Sequence, residues 1–484
     1  MDRAEVPHAK KAIMAPADNS VKTLIHPVNL SLPEKSLHNK SCCAGDGSPY
    51  RYRKTPAGDE IDPPCGCRAA MTANIFLLST PVTPERLSWI EECLKFFFIQ
   101  LYPETLMHQQ KGESPVFTFL LTGDALYSLD DPEIQQVWTV ILSLSGVRLI
   151  CDRQELDLRG ISAGHLKMKF PDQVITTNSL GTDGQPSFWN DVIALARQTK
   201  PPLPGTVGWL QCESPYMHRS AWYGLRFLSA ALADRLAIEL YAYLDGVHIG
   251  HSGQAPTEAE NIGGEIEALA EQAARHDLLC QVIACNRNAT ARGYSTWDDG
   301  QGVVISTCAI KPVKIRDLNV MIDRFRQNHV ILSATAGSLQ FRKGGSPSFD
   351  RAEKSSTAPP VTILITRSPY STETVFGAVS FAVACAHAGI LTRVIFMEDG
   401  IYALTGTHRA PVNFSLYNLQ DVINAVAGSV NLHFFAFTPS FQKRGISKDK
   451  SLNAVLELGY PGLGKILFYP PGNVQAEHQR ILIF

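Results

Sequence analysis

From about Thr72 to the C-terminus, short apolar runs alternate with longer stretches whose apolar residues recur at helical spacing. In the middle of the chain the run TVGWLQCE is followed by SAWYGLRFLSAALAD and then by AIELYAYL. Towards the end VTILITR, TETVFGAVSFAVACAHAG and TRVIFME repeat that order. A strand, a small-residue helix and a second strand at this spacing predict βαβ units around a parallel sheet. The first part of the chain shares the plan more loosely: NIFLLSTP, a long helical stretch from Glu85 to about Leu106, then VFTFLLTGDALY. The last residues, Ile481 to Phe484, predict an edge strand that closes the final unit.

The units are copies. Ser214-Pro215-Tyr216 aligns with Ser368-Pro369-Tyr370, and Leu244-Asp245-Gly246-Val247 then falls on Glu398-Asp399-Gly400-Ile401, with 31 residues from Ser to Asp in each and no gap. A module of roughly 120 to 135 residues suits a doubly wound domain with its own core. Pro- and Gly-rich segments separate the modules, KPPLPG at Lys200 to Gly205 and a longer one from Gly337 to Pro360. The expected division is a tail over 1–70 and α/β domains over 71–199, 205–337 and 360–484. Scattered Pro, Lys and Ser without an apolar period predict that the tail is disordered.

A tripeptide echoes through all three modules: Arg159-Gly160-Ile161, Arg292-Gly293-Tyr294 and Arg444-Gly445-Ile446 each follow an apolar strand. The middle strand ends on Cys285, eight residues before Gly293. The first ends at Cys151, nine residues before Gly160, and the third at Phe437, eight before Gly445, with no sulfur there. A thiol kept in only some copies of a repeat suggests one working sulfur site among structural copies.

Cys285 stands out among the 11 cysteines. The carboxyl ends of strands in an open α/β sheet form the crevice where ligands bind. A polar run with Arg287 and Arg292 follows, and cations and a helix start both favour thiolate over thiol. Cys151 has Asp152 and Glu155 beside it as well as Arg153, so its reactive and relic readings both stay open. Cys212 and Cys308 read as strand core, Cys93 and Cys385 as helix packing, and Cys280 as a residue inside a strand. Cys42-Cys43 and Cys65-Gly66-Cys67 match zinc-ligand spacing poorly, so no metal site is expected. His218, His248 and His251 are candidates for the mouth near Cys285, with solvated surface histidines as the plainer reading. Dinucleotide, Walker, GxSxG and HExxH motifs are missing, which leaves no cofactor to expect.

Charge and composition narrow the class. A formal net charge of −2 argues against direct nucleic-acid binding. The longest apolar run, Val375 to Phe396, is broken by His387, Gly389 and Arg393 and reads as a buried helix and strand rather than a membrane span. An N-terminus without a continuous apolar stretch, and an odd number of cysteines in a large chain, point to a reducing compartment, with the cytoplasm as the assignment.

On these residues the chain resembles the DsrE/DsrF-like superfamily of sulfur-relay and sulfur-oxidation proteins, as three fused copies. The likeness is clearest in VTILITRSPYSTETVFGAVSFAVACAHAG with VIFMEDGIYAL, similar to the DsrF/TusC type, and in IACNRNATARG, similar to the DsrE/TusD segment. The resemblance implies a cytoplasmic sulfurtransferase or sulfur carrier in which Cys285 accepts a persulfide sulfur, with Arg287, Arg292 and Gly293 supporting it and Cys151 as a second candidate. It further implies small sulfur-carrier proteins as donor and acceptor, and a fused pseudo-trimer that pairs into a dimer. Whether the sulfur serves tRNA thiolation or oxidation is not encoded. Two rival readings remain: a non-catalytic assembly scaffold, and a redox sensor pairing tail thiols with Cys285.

Overall fold

The structure, a computed structural model, describes residues 74–101, 117–170, 174–177, 187–197, 205–294, 297–298, 304–333, 338–341, 358–409, 417–468 and 478–484, apart from single positions 145, 329, 371 and 407. These all fall in one compact unit, Cys67–Phe484. The expected tail and its four cysteines lie outside the described residues.

Three α/β sheets carry the chain. The first runs β1 (Asn74–Leu78), α1 (Pro84–Phe96), β2 (Phe117–Leu121), α2 (Pro132–Ser143), β3 (Val147–Asp152), α3 (Arg153–Leu158), α4 (Ala163–Lys169), β4 (Val174–Thr177) and α5 (Ser187–Arg197), with all four strands parallel in the order β1-β2-β3-β4. Helix α1 gives way to a π-helical turn over Phe97–Leu101, where the sequence predicts continuous helix.

The second contains β5 (Thr206–Gln211), α6 (Ser220–Ala233), β6 (Ala237–Ala242), α7 (Ile262–Arg275), β7 (Cys280–Cys285), α8 (Asn286–Ala291), β8 (Trp297–Asp298), β9 (Val304–Ile305), β10 (Val313–Arg316), α9 (Leu318–Gln327) and β11 (Val330–Ser333). Its order is β11-β5-β6-β7-β10-β9-β8, with only β8, β9 and β10 pairing antiparallel. Cys308 lies in the turn after β9 and is exposed, not in a core strand as its flanking residues suggest.

The third comprises β12 (Ser338–Phe341), β13 (Val361–Ile365), α10 (Thr374–His387), β14 (Thr392–Phe396), α11 (Leu419–Val426), β15 (Leu432–Phe437), α12 (Thr438–Arg444), β16 (Val455–Leu458), α13 (Tyr460–Phe468) and β17 (His478–Ile483), in the order β12-β17-β13-β14-β15-β16. Strand β12 comes from the segment read as a linker. It pairs antiparallel with β17, so the C-terminal strand is flanked on both sides and is not an edge.

The modules do not own separate cores. One core joins Ile75, Leu77 and Trp189 to Trp209, Phe227 and Leu240; a second joins Tyr241, Tyr243 and Ile283 to Ile363, Phe381 and Phe396; a third joins Ile395 and Phe437 to Phe76, Leu94 and Trp138. Each core draws on two neighbouring modules, first with second, second with third, third with first. The three therefore close a head-to-tail ring inside one chain, the geometry by which heterologous contacts terminate instead of growing into a fibre. Sheets buried on both faces explain why their strands read as continuous apolar runs.

The ring explains the tripeptide echo. Gly160, Gly293 and Gly445 have φ of +69°, +80° and +62°. Each ends a short helix with the same paired bonds: the residue after glycine donates back to Leu156, Ala289 or Phe441, and the glycine itself to Asp157, Thr290 or Gln442. This left-handed cap favours glycine. A side chain added at Gly293 meets nothing within 4 Å, so the cost of Gly293→Ala is backbone strain alone, about 1–2 kcal/mol. Chemical denaturation should show that loss, and Gly293→Asn should show less of it.

The arginine before each glycine is a clasp. Arg159 binds Asp124 at 2.7 Å and Glu155 at 2.5 Å, and Glu155 accepts from Tyr223 of the second module at 2.8 Å. Arg292 binds Asp245 at 2.8 Å and Glu373 of the third module at 2.9 Å. Arg444 binds Asp399 at 2.8 Å and Glu85 of the first at 2.9 Å. In every module the arginine ties the turn after the second strand to the start of the next module's first helix, directly for Arg292 and Arg444 and through Glu155 for Arg159. The Asp-Gly pairs in two of those turns are more than loop chemistry, because a side chain at Gly246 or Gly400 would collide with the carbonyl of Gln211 or Ile365.

Candidate functional site

Three equivalent junctions follow from the ring, and their contents differ. The residue seven before each clasp arginine closes the third parallel strand and stands at the N-cap of the short helix: Asp152, Cys285 and Phe437. Three residues further on stand Glu155, Asn288 and Ser440. Asn288 accepts the backbone N–H of Leu244 at 3.0 Å, as Ser440 accepts that of Glu398 at 2.9 Å.

Two junctions are filled. Between the third and first modules, the Glu398 carboxylate takes Arg86 Nε at 3.0 Å and Nη2 at 2.9 Å, and Trp89 Nε1 at 3.1 Å, while Phe437 packs edge-on against Tyr460 at 5.3 Å. Between the first and second, the Tyr223–Glu155–Arg159 network occupies the space, and a side chain at Gly123 would strike Tyr223. Asp152 accepts from Thr122 at 3.0 Å and from the Gln154 amide. Burial, with the Glu155 carboxylate adding to it, raises Asp152 to about 6 against those hydrogen bonds.

A carboxyl raised on folding contributes stability that is complete below its unfolded value near 3.8 and is lost as pH rises through about 6. Asp152→Asn keeps the helix cap and removes this titration. Wild type should therefore gain on the variant between pH 6 and pH 4, by at most about 3 kcal/mol, as read from denaturation midpoints.

The second-to-third junction is open. A cavity of about 560 Å³ lies there, with Cys285, Arg287 and Asn288 on one side and Tyr370, Glu373 and Phe376 on the other. At the cavity's edge a side chain on Gly377 would press on Leu244 at 2.6 Å, so glycine lets the helix of the third module sit close to the second. Tyr243 is held by its hydroxyl donating to the Gly377 carbonyl at 3.0 Å.

Cys285 is 1% exposed and forms part of this cavity's wall. Burial pushes its thiol up, while the amide N–H groups of Asn288 and Arg287 and the Arg287 charge pull it down. The other buried thiols have no such amides. Burial raises Cys151 and Cys212, and takes Cys385 to about 12 and Cys280 to about 11. Among the described residues the Arg287 side chain has no ion pair or hydrogen bond, so its charge remains available to the cavity. Arg292 is engaged by the clasp, and Gly293 serves the cap.

The remaining candidates go elsewhere. Cys151 is 0% exposed in the core shared by the third and first modules. It precedes the position equivalent to Cys285, which is Asp152; counting back from the arginine rather than from the strand end would have shown this. His218, His248 and His251, candidates for the mouth near Cys285 with the solvated reading as the plainer one, do not line its cavity. His248 and His251 line a different cleft, beside Tyr294, and His218 is exposed and part of neither. Among the described residues no cluster of His, Cys, Asp and Glu suits a metal ion, and no helix is long and apolar enough to cross a membrane.

Comparison with known proteins meets this geometry at the same two modules. The DsrE/DsrF-like family matches residues 206–323 and 360–466. An uncharacterized protein of Methanopyrus kandleri is 35% identical over 95 residues, which is 20% of this chain and 74% of that relative. The chain belongs to the DsrE/DsrF-like family. That family is associated with sulfur relay, in which the partners are proteins. Both matched stretches meet at the open junction, and the first module, outside the matched residues, completes the ring.

Proposed function

We propose that the protein is a sulfur carrier that accepts sulfane sulfur on Cys285 and passes it to a partner thiol. The observation that carries this is the contrast among the three junctions: of equivalent positions, two are filled by ion pairs and rings, and the third holds a thiol on an open cavity. In the forward step the Cys285 thiolate attacks the outer sulfur of a donor persulfide. The donor's S–S bond breaks, the donor leaves as a thiolate that takes up a proton, and a Cys285 persulfide remains. Transfer to the acceptor repeats the exchange in reverse. A small sulfur-carrier protein on each side fits this exchange. Because Cys285 is buried, the donor sulfur must enter the cavity. Arg287 favours both the attacking thiolate and an anionic donor.

Modules one and three then serve as scaffold, the third also supplying half of the cavity wall. An intrachain disulfide switch with the neighbouring sheet thiol is disfavoured. Cys212 and Cys285 follow Gln211 and Ala284, which are in register through Ala242 on the strand between them. Two strand spacings are about 9–10 Å, beyond disulfide reach. Assembly of the fused ring into a dimer, and residence in the cytoplasm, belong to the same proposal.

Filling the cavity tests the reading. Ser380 lines it from α10 and is half-buried. Ser380→Phe should slow sulfur loading from a persulfidated donor at least about tenfold, since transfer depends on access, with little change in thermal midpoint. Unchanged loading in a folded variant would favour the scaffold reading. Loading of wild type should accelerate with pH past the ordinary thiol range, because the Cys285 thiol is raised, and Arg287→Met should carry that rise to higher pH.

A further inference from the structure

A cleft of about 660 Å³ lies on the second module, lined by Tyr216, His248, His251, Gln254 and Tyr294. The two imidazoles pack edge-on against one Tyr294 ring, at 5.4 and 5.7 Å between centroids. Their hydrogen bonds bear on which nitrogen carries the proton. The Gly253 N–H donates to His251 Nδ1 at 2.9 Å, so Nδ1 is an acceptor and the proton of the neutral ring is on Nε2. The Tyr294 hydroxyl lies 2.6 Å from His248 Nδ1, and Tyr294 is 5% exposed. Among the described residues that hydroxyl has no other acceptor; donating to Nδ1 pairs its proton, and in that arrangement His248 likewise carries its proton on Nε2. Both rings thus offer N–H donors at a cleft whose other amide, Gln254, is already engaged through Nε2 with the carbonyls of Ile249 and His251 and through Oε1 with Tyr216 and the Gly263 amide.

We propose that this cleft is a second ligand site, separate from the thiol cavity, that takes a small molecule through acceptor oxygens: a carboxylate, phosphate or sulfate group held by the two Nε2–H donors. Ser214 and Thr257 line the same cleft and add hydroxyls. Arg292 and Asp245, paired with each other, act on His248 in opposite senses, and Glu258, exposed at the rim, opposes an anion, so the attraction rests on the N–H and hydroxyl donors. A metal ion fits less well. A metal on His251 Nε2 requires the proton on Nδ1, where it would face the Gly253 N–H instead of an acceptor.

The test is a titration of the full chain with inorganic phosphate, sulfate and acetate, followed by the histidine ring proton resonances, with zinc chloride as the counter-probe. At least one anion should give saturable shifts of two histidines, half-complete at or below about 10 mM. His251→Phe should weaken that response at least about tenfold, the loss of a hydrogen bond to a charged group, with the melting transition retained. His251→Gln, which keeps an N–H donor, should retain part of it. Cys285→Ser should bind as wild type does, so failure here is separable from failure of the sulfur-carrier reading. Absence of saturation with all three anions, an undiminished response in His251→Phe, or saturation by zinc in their place would overturn the proposal.

Discussion

Glu398→Ala should destabilise the protein by about 3–5 kcal/mol, the penalty for leaving one member of a buried ion pair without its partner. Arg86 and Glu398 are both about 8% exposed at their side chains and meet through two parallel hydrogen bonds, with Trp89 donating a third. Removing the carboxylate strands the guanidinium in the core shared by the third and first modules. The loss is therefore one of ring closure, not of local packing. Replacing both partners, as Arg86→Met with Glu398→Leu, should recover most of it, because an apolar pair of similar volume avoids the desolvation cost. Leucine is already the residue at the equivalent position 244. Arg153, whose pair with Asp157 is exposed on one helix, supplies the contrast: Arg153→Ala should cost no more than about 0.5 kcal/mol. Denaturant midpoints for the four proteins check this.

The largest functional effect is expected at Cys285. A serine there keeps the size and the helix cap but removes a polarizable nucleophile able to hold a second sulfur, so loading should be abolished while the fold persists. Cys385→Ser should load normally. That thiol is 0% exposed within α10, and burial raises it to about 12 with no amide N–H to offset the cost. Cys308 is the necessary control, because it is exposed and open to any alkylating reagent. Rapid alkylation therefore does not single out a carrier thiol, whereas transfer of sulfur does.

Much of this architecture is legible in the residues. The alternation of VTILITR, a small-residue helix and TRVIFME gives strand, helix and strand in register, and Cys285 closes a parallel strand as its polar sequel suggests. Local chemistry carries that information: period, glycine and cap. The ring is not legible in the same way. Arg292 sits close to Cys285 in sequence and reads as its cation, yet it binds Asp245, 47 residues earlier, and Glu373, 81 residues later. No spacing rule reports such pairings. The shared cores were hidden for a related reason: an apolar strand face looks the same whether its own helix or the next module covers it. The equivalence of Asp152 to Cys285 is legible in the spacing, since each stands seven residues before its arginine, although Cys151 reads as the strand end one residue earlier. Strand β12 lies in a segment rich in turn-forming residues, and its pairing with β17 depends on chain that arrives over 130 residues later.

The central claim is that one thiol of this chain, at one junction of three, carries sulfur. Its most direct test is the intact mass of wild type and Cys285→Ser after incubation with a persulfidated donor protein and removal of that donor. The account predicts that wild type gains the mass of one sulfur atom, removable by a reducing agent, and that Cys285→Ser gains none. Equal gain by the two proteins would contradict it.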